Sequence, residues 1–371
     1  MDSENGPPDP RAIDTDERPF VLIWETTRAC ELACNHCRAN ANPERCPDEL
    51  GTSEAKRLLD DAARFGDGQI VVLSGGDPMK REDLVELVEY GTERGLRMTL
   101  TPSGTAALTE ENIAALADAG LRRMALSIDA PRDAHDRFRG EVGSYERTER
   151  AAAAAREVGI PIQINTTVCA STVETLPEVR DIVAELGAVL WSVFFLVPVG
   201  RGELLKGLSP ERAESVLEWL HDTSESVPFG IKTTEAPSYR RVALQRQGSA
   251  TDAPSTDRIG RRGGIIAGDG FAFVSHTGEL YPSGFLPKPA GTVTENDLVS
   301  LYRNAELFES LRDRSRLDGK CGACEYRHVC GGSRSRAFAT AGDPLASDPL
   351  CAYVPDGYDG PLPWTREAGR S

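Results

Sequence analysis

Between residues 20 and 197 the chain repeats one pattern six times: a short apolar run, a loop, then a helix-patterned stretch. Strand-length runs that alternate with helical patterns are the mark of parallel strands joined by crossover helices. The pattern predicts strands over 20–25, 69–74, 97–101, 123–127, 161–167 and 190–197. Helices are predicted between them over 53–65, 82–94, 110–119, 145–158 and 174–186. Thr52 and Thr109 stand where helix caps belong, and Gly66, Gly95, Gly120, Gly159 and Gly187 stand where helices should stop. The fold class is α/β, with six units where a closed barrel takes eight.

Another helix is predicted over 210–223, after which the pattern changes. Residues 248–263 are rich in Gly, Ser, Thr, Asp and Arg and read as a linker or lid. Phe271-Ala-Phe-Val-Ser275, His276-Thr-Gly278 and Glu279-Leu-Tyr281 together predict a hairpin, and a short helix is predicted over 305–311. The expected domains are a disordered lead-in (1–19), a barrel (20–235), a linker or lid (236–265) and a small α+β domain (266–371).

Net charge is −16 with a pI near 4.9, and six Lys stand against 36 Arg. An acidic, Lys-poor surface suits a halophilic protein kept soluble in concentrated salt, although a GC-rich genome also favours Arg over Lys. The balance argues against general binding to nucleic acid or anionic lipid, which need a basic footprint. Residues 1–19 lack the apolar core of a signal peptide, and the longest apolar stretch, 189–199, is too short for a bilayer and holds Ser192 and Pro198. The expectation is a cytoplasmic protein without membrane or nucleic-acid partners. Nine Cys in a reducing compartment point to metal, and seven of them fall in two groups.

The first group, Cys30, Cys34 and Cys37, lies in the loop after the first predicted strand. A cubane iron–sulfur cluster takes one thiolate per iron, so three leave one iron open to a ligand from outside the protein. Structural zinc is the other reading, but zinc prefers four ligands in two separated pairs, and Cys46 is read as incidental. The spacing Cys-x3-Cys-x2-Cys with His36 before the last Cys resembles the signature of the radical S-adenosylmethionine (SAM) superfamily. That resemblance implies a partial (β/α)6 TIM-like barrel. It also implies a 4Fe-4S cluster whose open iron chelates SAM, and reductive cleavage of SAM to a 5′-deoxyadenosyl radical that abstracts hydrogen. Cys30, Cys34 and Cys37 would be both metal ligands and the catalytic centre, with His36 beside the cofactor.

In β/α barrels, ligands are held by the loops after the strands. After the second predicted strand, Ser74-Gly75-Gly76-Asp77-Pro78 resembles the family's Gly-Gly-Glu motif at the SAM amino group, with Asp for Glu. Thr101-Pro-Ser103-Gly104 follows the third strand and Ser127-Ile-Asp129 the fourth, matching the family's ribose and carboxylate contacts. Arg139 stands where related members place an Arg on the SAM carboxylate, and Asn165 and Val197 would complete the nucleoside pocket.

The second group is Cys321-Gly-Ala-Cys324, Cys330 and Cys351. Spacing alone leaves zinc and a cubane cluster both open. The arrangement is similar to the C-terminal SPASM extension of radical SAM enzymes, which implies an auxiliary 4Fe-4S cluster on these four thiolates. A full extension holds a second auxiliary cluster, but its expected Cys positions here are Ser283, five after Gly278, and Arg334, so one is expected. Cys169 reads as an ordinary thiol, with hydrogen-atom donation as its functional alternative.

Trp24-Glu25-Thr-Thr-Arg28, the Arg38-Ala39 after Cys37 and the overall layout resemble the SPASM-containing group of heme b synthase, siroheme-modifying enzymes and heme d1 maturases. The resemblance implies a tetrapyrrole substrate with propionates, and an electron donor such as ferredoxin or flavodoxin. Peptide maturation is the second enzymatic reading, with a small peptide as substrate, and an electron carrier or degenerate SAM binder is the non-enzymatic one. Arginines 240, 241, 261, 262, 334 and 336 are candidates for substrate carboxylates, and Glu25, Tyr239 and Tyr281 for substrate handling at the barrel mouth.

Overall fold

In the computed structural model, which describes residues 13–246 and 265–364, all six apolar runs form parallel strands. They are β1 (Val21–Glu25), β2 (Ile70–Ser74), β3 (Arg97–Leu100), β4 (Arg123–Ser127), β5 (Ile162–Val168) and β6 (Leu190–Phe195). They pair in chain order, with Trp24 opposite Leu73, Leu73 opposite Leu100, and Ser127 opposite Asn165. The connecting helices are α1 (Thr52–Ala63), α2 (Leu84–Glu93), α3 (Glu110–Asp118), α4 (Arg132–Arg139), α5 (Ser144–Glu157) and α6 (Leu176–Glu185). Of these, α4 was not expected; five of its eight residues are Arg or Asp and it lacks a long apolar stripe.

Side chains alternate across a strand, so each strand has one face toward the helices and one toward the barrel lumen. Leu22, Trp24, Val71, Leu73, Met98, Leu100, Met124, Leu126, Ile162 and Ile164 lie in a core shared with Leu58 and Leu59 of α1 and Leu87 and Val88 of α2. Each such side chain contributes about 1.5–3 kcal/mol by leaving water. The alternate residues, Ile23, Glu25, Val72, Ser74, Thr99, Arg123, Ser127, Asn165 and Ser192 among them, therefore face inward.

The sheet runs past the six strands on both sides. β7 (Gly230–Thr234) pairs parallel with β6, Lys232 lying opposite Ser192. Its sequence, Gly-Ile-Lys-Thr-Thr, holds a single apolar residue, too weak a signal to read as a strand. On the other side β9 (Gly270–Val274) lies parallel to β1 and carries β8 (Ile266–Ala267), β10 (Glu279–Tyr281) and β11 (Gly291–Thr292). The expected hairpin forms, Leu280 opposite Val274. Strand order β11-β10-β9-β1-β2-β3-β4-β5-β6-β7 has two ends, so the described sheet curves without closing.

The remaining helices are α7 (Pro210–Ser224), α8 (Ser238–Arg246), α9 (Leu298–Asn304), α10 (Glu306–Arg312), α11 (Gly319–Ala323) and α12 (Arg334–Ala341). Tyr302 of α9 and Phe308 of α10 share the core that holds Phe65, which joins the C-terminal segment to the barrel by packing as well as by the sheet. The linker expected over 236–265 opens as helix α8, and its residues 247–264 lie outside the described residues, as do residues 1–12 of the expected lead-in. Residues 13–19 of that lead-in are held: Tyr302 donates to the Thr15 carbonyl at 2.7 Å and Arg312 pairs with Asp16 at 3.0 Å. Among the described residues no helix is long and apolar enough to cross a membrane.

Candidate functional site

The loop after β1 carries Cys30, Cys34 and Cys37 and is pinned from three sides. The turn after β2 docks beneath it, Gly76 N–H donating to Thr27 O and Asp77 N–H to Ala29 O, both at 2.7 Å. On α4, Phe138 O accepts from Asn35 N at 3.0 Å and the Phe138 ring stacks on His36 at 4.6 Å. From the loop after β6, Arg201 donates to Cys34 O at 2.8 Å and to Ala41 O at 3.1 Å. The three cysteines pack in one group with Leu32 and Ala41, while Cys46 lies outside it.

The two glycines are there because backbone must touch backbone. A Cβ on Gly76 would lie 2.5 Å from Ala29 O, and one on Gly75, whose φ is +147°, would lie 2.3 Å from Thr27 O. Gly76→Ala is therefore expected to push the cysteine loop off the β2 turn. The expected outcome is a fall in both the thermal midpoint and the iron retained after anaerobic reconstitution; unchanged iron would show that the contact does not set the loop.

Asp77 is buried and turns its carboxylate into the protein, accepting from Thr105 Oγ1 at 2.7 Å and from the backbone of Ser103 and Met79 at 3.2 Å. Any ligand contact of this motif is left to the main chain. Pro78 begins the short turn Pro78–Lys80 and is buried. Ser103 bridges inward, donating to Gly76 O at 2.9 Å with its hydroxyl 3.6 Å from Cys30 Sγ.

Asp129 and Arg139 form a buried ion pair, Nε to Oδ2 at 2.6 Å, and Arg139 Nη1 lies 3.9 Å from Cys34 Sγ. Asp129 also accepts from Thr167 N at 2.7 Å. Burial opposes its ionisation, but the Arg139 charge together with the nearby histidines and the Thr167 N–H holds the carboxyl down at about 2. His36 is lowered to about 4, first by burial, so its ring is neutral at physiological pH, and its Nδ1 has no partner among the described residues. Ser74 gives its carbonyl to Thr26 N at 2.8 Å, Asn165 accepts from Gln163 at 2.7 Å, and buried Val197 gives its carbonyl to Val199 N at 2.9 Å.

Burial pushes the Cys30 thiol up to about 11, so these sulfurs need a metal cation to remain thiolates at neutral pH. Three soft donors packed together in one loop suit an iron–sulfur cluster. Among the described residues no three His, Cys, Asp or Glu side chains close on a point that one ion would occupy. A cubane instead takes its thiolates at separate corners. The residues present fit that group.

Cys321, Cys324, Cys330 and Cys351 line a single cavity with Arg241, Lys320 and Tyr353. Burial raises Cys324 to about 11 and Cys330 to about 12. N–H groups already point at sulfur: Gly332 N at 3.4 Å from Cys330 Sγ, Asp348 N at 3.4 Å and Arg334 Nη2 at 3.8 Å from Cys321 Sγ. Cys169 sits apart, its sulfur 3.2 Å from Ser171 Oγ in the turn after β5.

At the two positions where a second auxiliary cluster would draw ligands, the chain builds a hydrogen-bonded hub. Glu235, at φ +57°, accepts from Ser283 at 3.2 Å, Ser333 at 2.5 Å and Ser335 at 2.9 Å, and its carbonyl accepts from Arg336 at 2.8 Å. Arg334 is fully buried and donates to Pro344 O and Ala346 O, both at 2.8 Å. Glu235→Ala leaves the three hydroxyls without their acceptor, at a cost of about 1–3 kcal/mol by chemical denaturation; a loss below about 0.5 kcal/mol would show that water replaces the carboxylate.

Several substrate candidates read from sequence are used internally. Arg241 pairs with Glu214 at 2.5 Å, Arg334 holds the loop just described, and Arg336 pairs with Asp348 at 3.2 Å; all three are buried and unavailable to a substrate. Arg240 is hydrogen-bonded or paired elsewhere in the protein, and Arg261 and Arg262 lie outside the described residues. Tyr239 belongs to the core, because α8 packs that face on α7. Tyr281 donates to Glu279 at 2.8 Å. Glu25 is inward-facing and buried, with Arg38 at 3.1 Å and His276 Nδ1 at 2.8 Å. His276 was missed because only the pairing of β9 with β1 brings it to the barrel; Arg38, next to Cys37, carried a local signal.

Residues 24–186 match the model of the radical SAM superfamily. The AdoMet-dependent heme synthase of Methanosarcina barkeri is 40% identical over 341 residues, 91% of this chain and 97% of that protein. The enzyme of that name from Oleidesulfovibrio alaskensis is 39% identical over 353 residues, 93% of this chain and 90% of that protein. Among solved structures, Streptococcus suis SuiB bound to S-adenosylmethionine has the same fold, with a TM-score of 0.67 and 17% identity over 91% of this chain and 78% of that one. With the cysteine loop at the end of the first barrel strand and this similarity along nearly its whole length, the chain belongs to the radical SAM superfamily.

Proposed function

We propose that this enzyme acts on a propionate side chain of an iron porphyrinoid. The observation that carries the reading is identity of 39–40%, over nine-tenths or more of both chains, to proteins named AdoMet-dependent heme synthase. When bound, a 4Fe-4S cluster and SAM supply the 5′-deoxyadenosyl radical that takes a hydrogen atom from the substrate. Cys30, Cys34 and Cys37 hold that cluster, and the Ser74–Pro78 turn and Ser103 support their loop. A guanidinium has more donors than one carboxylate uses, so Arg139 keeps N–H groups for the cofactor carboxylate while Asp129 orients it. Neutral His36, Ser127, Asn165 and the backbone at Val197 line the rest of the pocket.

Cys321, Cys324, Cys330 and Cys351 hold one auxiliary 4Fe-4S cluster. Four thiolates leave it no open iron, which suits electron transfer or structural support. The N–H groups directed at sulfur suit such a cluster, since they stabilise the negative charge of its thiolates. A ferredoxin or flavodoxin supplies electrons.

Anaerobic reconstitution tests both parts. About eight irons per chain are expected, and iron coproporphyrin deuterated on its propionates should pass deuterium to 5′-deoxyadenosine. Unlabelled 5′-deoxyadenosine, formed at the same rate without the porphyrin, would sink the substrate assignment.

A further inference from the structure

The lumen below the SAM-binding loops contains cations that the proposed chemistry leaves without a task. Arg123 is the first residue of β4 and Lys232 the middle residue of β7. Both occupy inward positions: Arg123 alternates with Met124, and Lys232 with Ile231, and Met124 and Ile231 belong to the helix-facing core. Lys232 lies opposite Ser192 in the ladder, Ser192 opposite Asn165, and Asn165 opposite Ser127, four residues above Arg123 on its own strand. Barrel strands tilt, so this row descends across the lumen and brings Lys232 toward Arg123. The two are close enough for the Arg123 charge to act on the ammonium, which desolvation first, and then Arg123, lowers to about 8.

Acids outnumber bases 58 to 42 in this chain, yet among the described residues neither Arg123 nor Lys232 has a hydrogen-bond or ion-pair partner. Glu25, the acid on the inward face of β1, is committed to Arg38 and His276. Facing like charges in a partly desolvated cavity are unfavourable until an anion joins them. Lys232 is exposed, so an incoming anion can reach it.

We propose that Arg123 and Lys232 form an anion site on the floor of the barrel that takes a carboxylate of the substrate, one distinct from the group that reacts at the mouth. Its assignment to a porphyrinoid propionate rests on the function proposed above; the anion site itself rests on the two cations.

The test uses the full chain, with iron coproporphyrin as probe, followed by its Soret shift, and the tetramethyl ester as uncharged control. Arg123→Met and Lys232→Met are each expected to weaken binding of the acid about tenfold. Binding of the ester and of SAM should stay unchanged, and Lys232→Arg should restore most of the loss. Unaltered affinity for the acid in both Met variants, or equal losses with the ester, overturns the site and leaves the substrate reading intact. Lys232 reaches solvent, so its variant tests the proposal even where Arg123→Met fails to fold. Failure of the wild type to bind the porphyrin removes the substrate reading only, and the site is then decided by citrate as probe. With six Lys in the chain, mass spectrometry after acetylation reads each one. Protection of Lys232 by citrate supports the site, and acetylation at the unprotected rate refutes it.

Discussion

Replacing any one of Cys30, Cys34 or Cys37 with Ala is expected to abolish formation of 5′-deoxyadenosine and to lower iron from about eight to about four per chain. The loss is all-or-none because a cubane with two protein ligands exposes two irons, and nothing else in the loop can replace the missing sulfur: Cys46 lies outside the packed group. Replacing Cys321 or Cys330 should remove the other four irons and leave SAM-dependent changes in the cluster spectrum intact. Cys46→Ala and Cys169→Ala should change neither iron content nor SAM cleavage. Iron loss divided evenly between the two sites in a Cys34→Ala protein would show that the sites do not load independently, and the assignment of separate ligand sets would fail.

Asp129→Ala is expected to cost about 3–5 kcal/mol of stability, the usual penalty for leaving a buried charge without its partner. Asp129 is fully buried, and among the described residues Arg139 is tied to no other carboxylate, so the guanidinium left behind cannot be repaired by a small movement. The pair also sets a pH dependence. Asp129 titrates near 4 in an unfolded chain and is held at about 2 in the folded one. Its contribution is present above the unfolded value and is lost as pH falls through the folded one, so the window runs from about pH 4 down to about pH 2. Denaturation midpoints of the wild type should fall across that window more steeply than those of Asp129→Asn. Parallel curves for the two proteins would place the acid sensitivity elsewhere. The same variants should weaken SAM binding, because Arg139 without Asp129 loses its orientation beside Cys34.

The β/α order and the cysteine loop at the end of β1 were legible in the sequence because both are local: alternating runs with glycine stops, and three thiols within eight residues. The reading went wrong where composition stood in for geometry. Arginines 241, 334 and 336 were candidates for substrate carboxylates by residue type alone, yet each is buried against a carbonyl or carboxylate of the protein itself. Ser283 stands where a second cluster would take a Cys, and that it bonds to Glu235, 48 residues away, could not be read from either residue's neighbourhood.

The sequence by itself determined the succession of barrel strands and helices, the grouping of seven cysteines at two places and the chemistry three close thiolates permit, since these depend on residue type and spacing along a few turns of chain. Tertiary structure alone decided that β9 lies beside β1 and brings His276 to Glu25, that Glu235 gathers three serines, and that Arg123 and Lys232 both take inward positions on their strands. Those juxtapositions arise from how the sheet curves and the chain packs, which brings together residues from 48 to 251 positions apart, and no local periodicity encodes them.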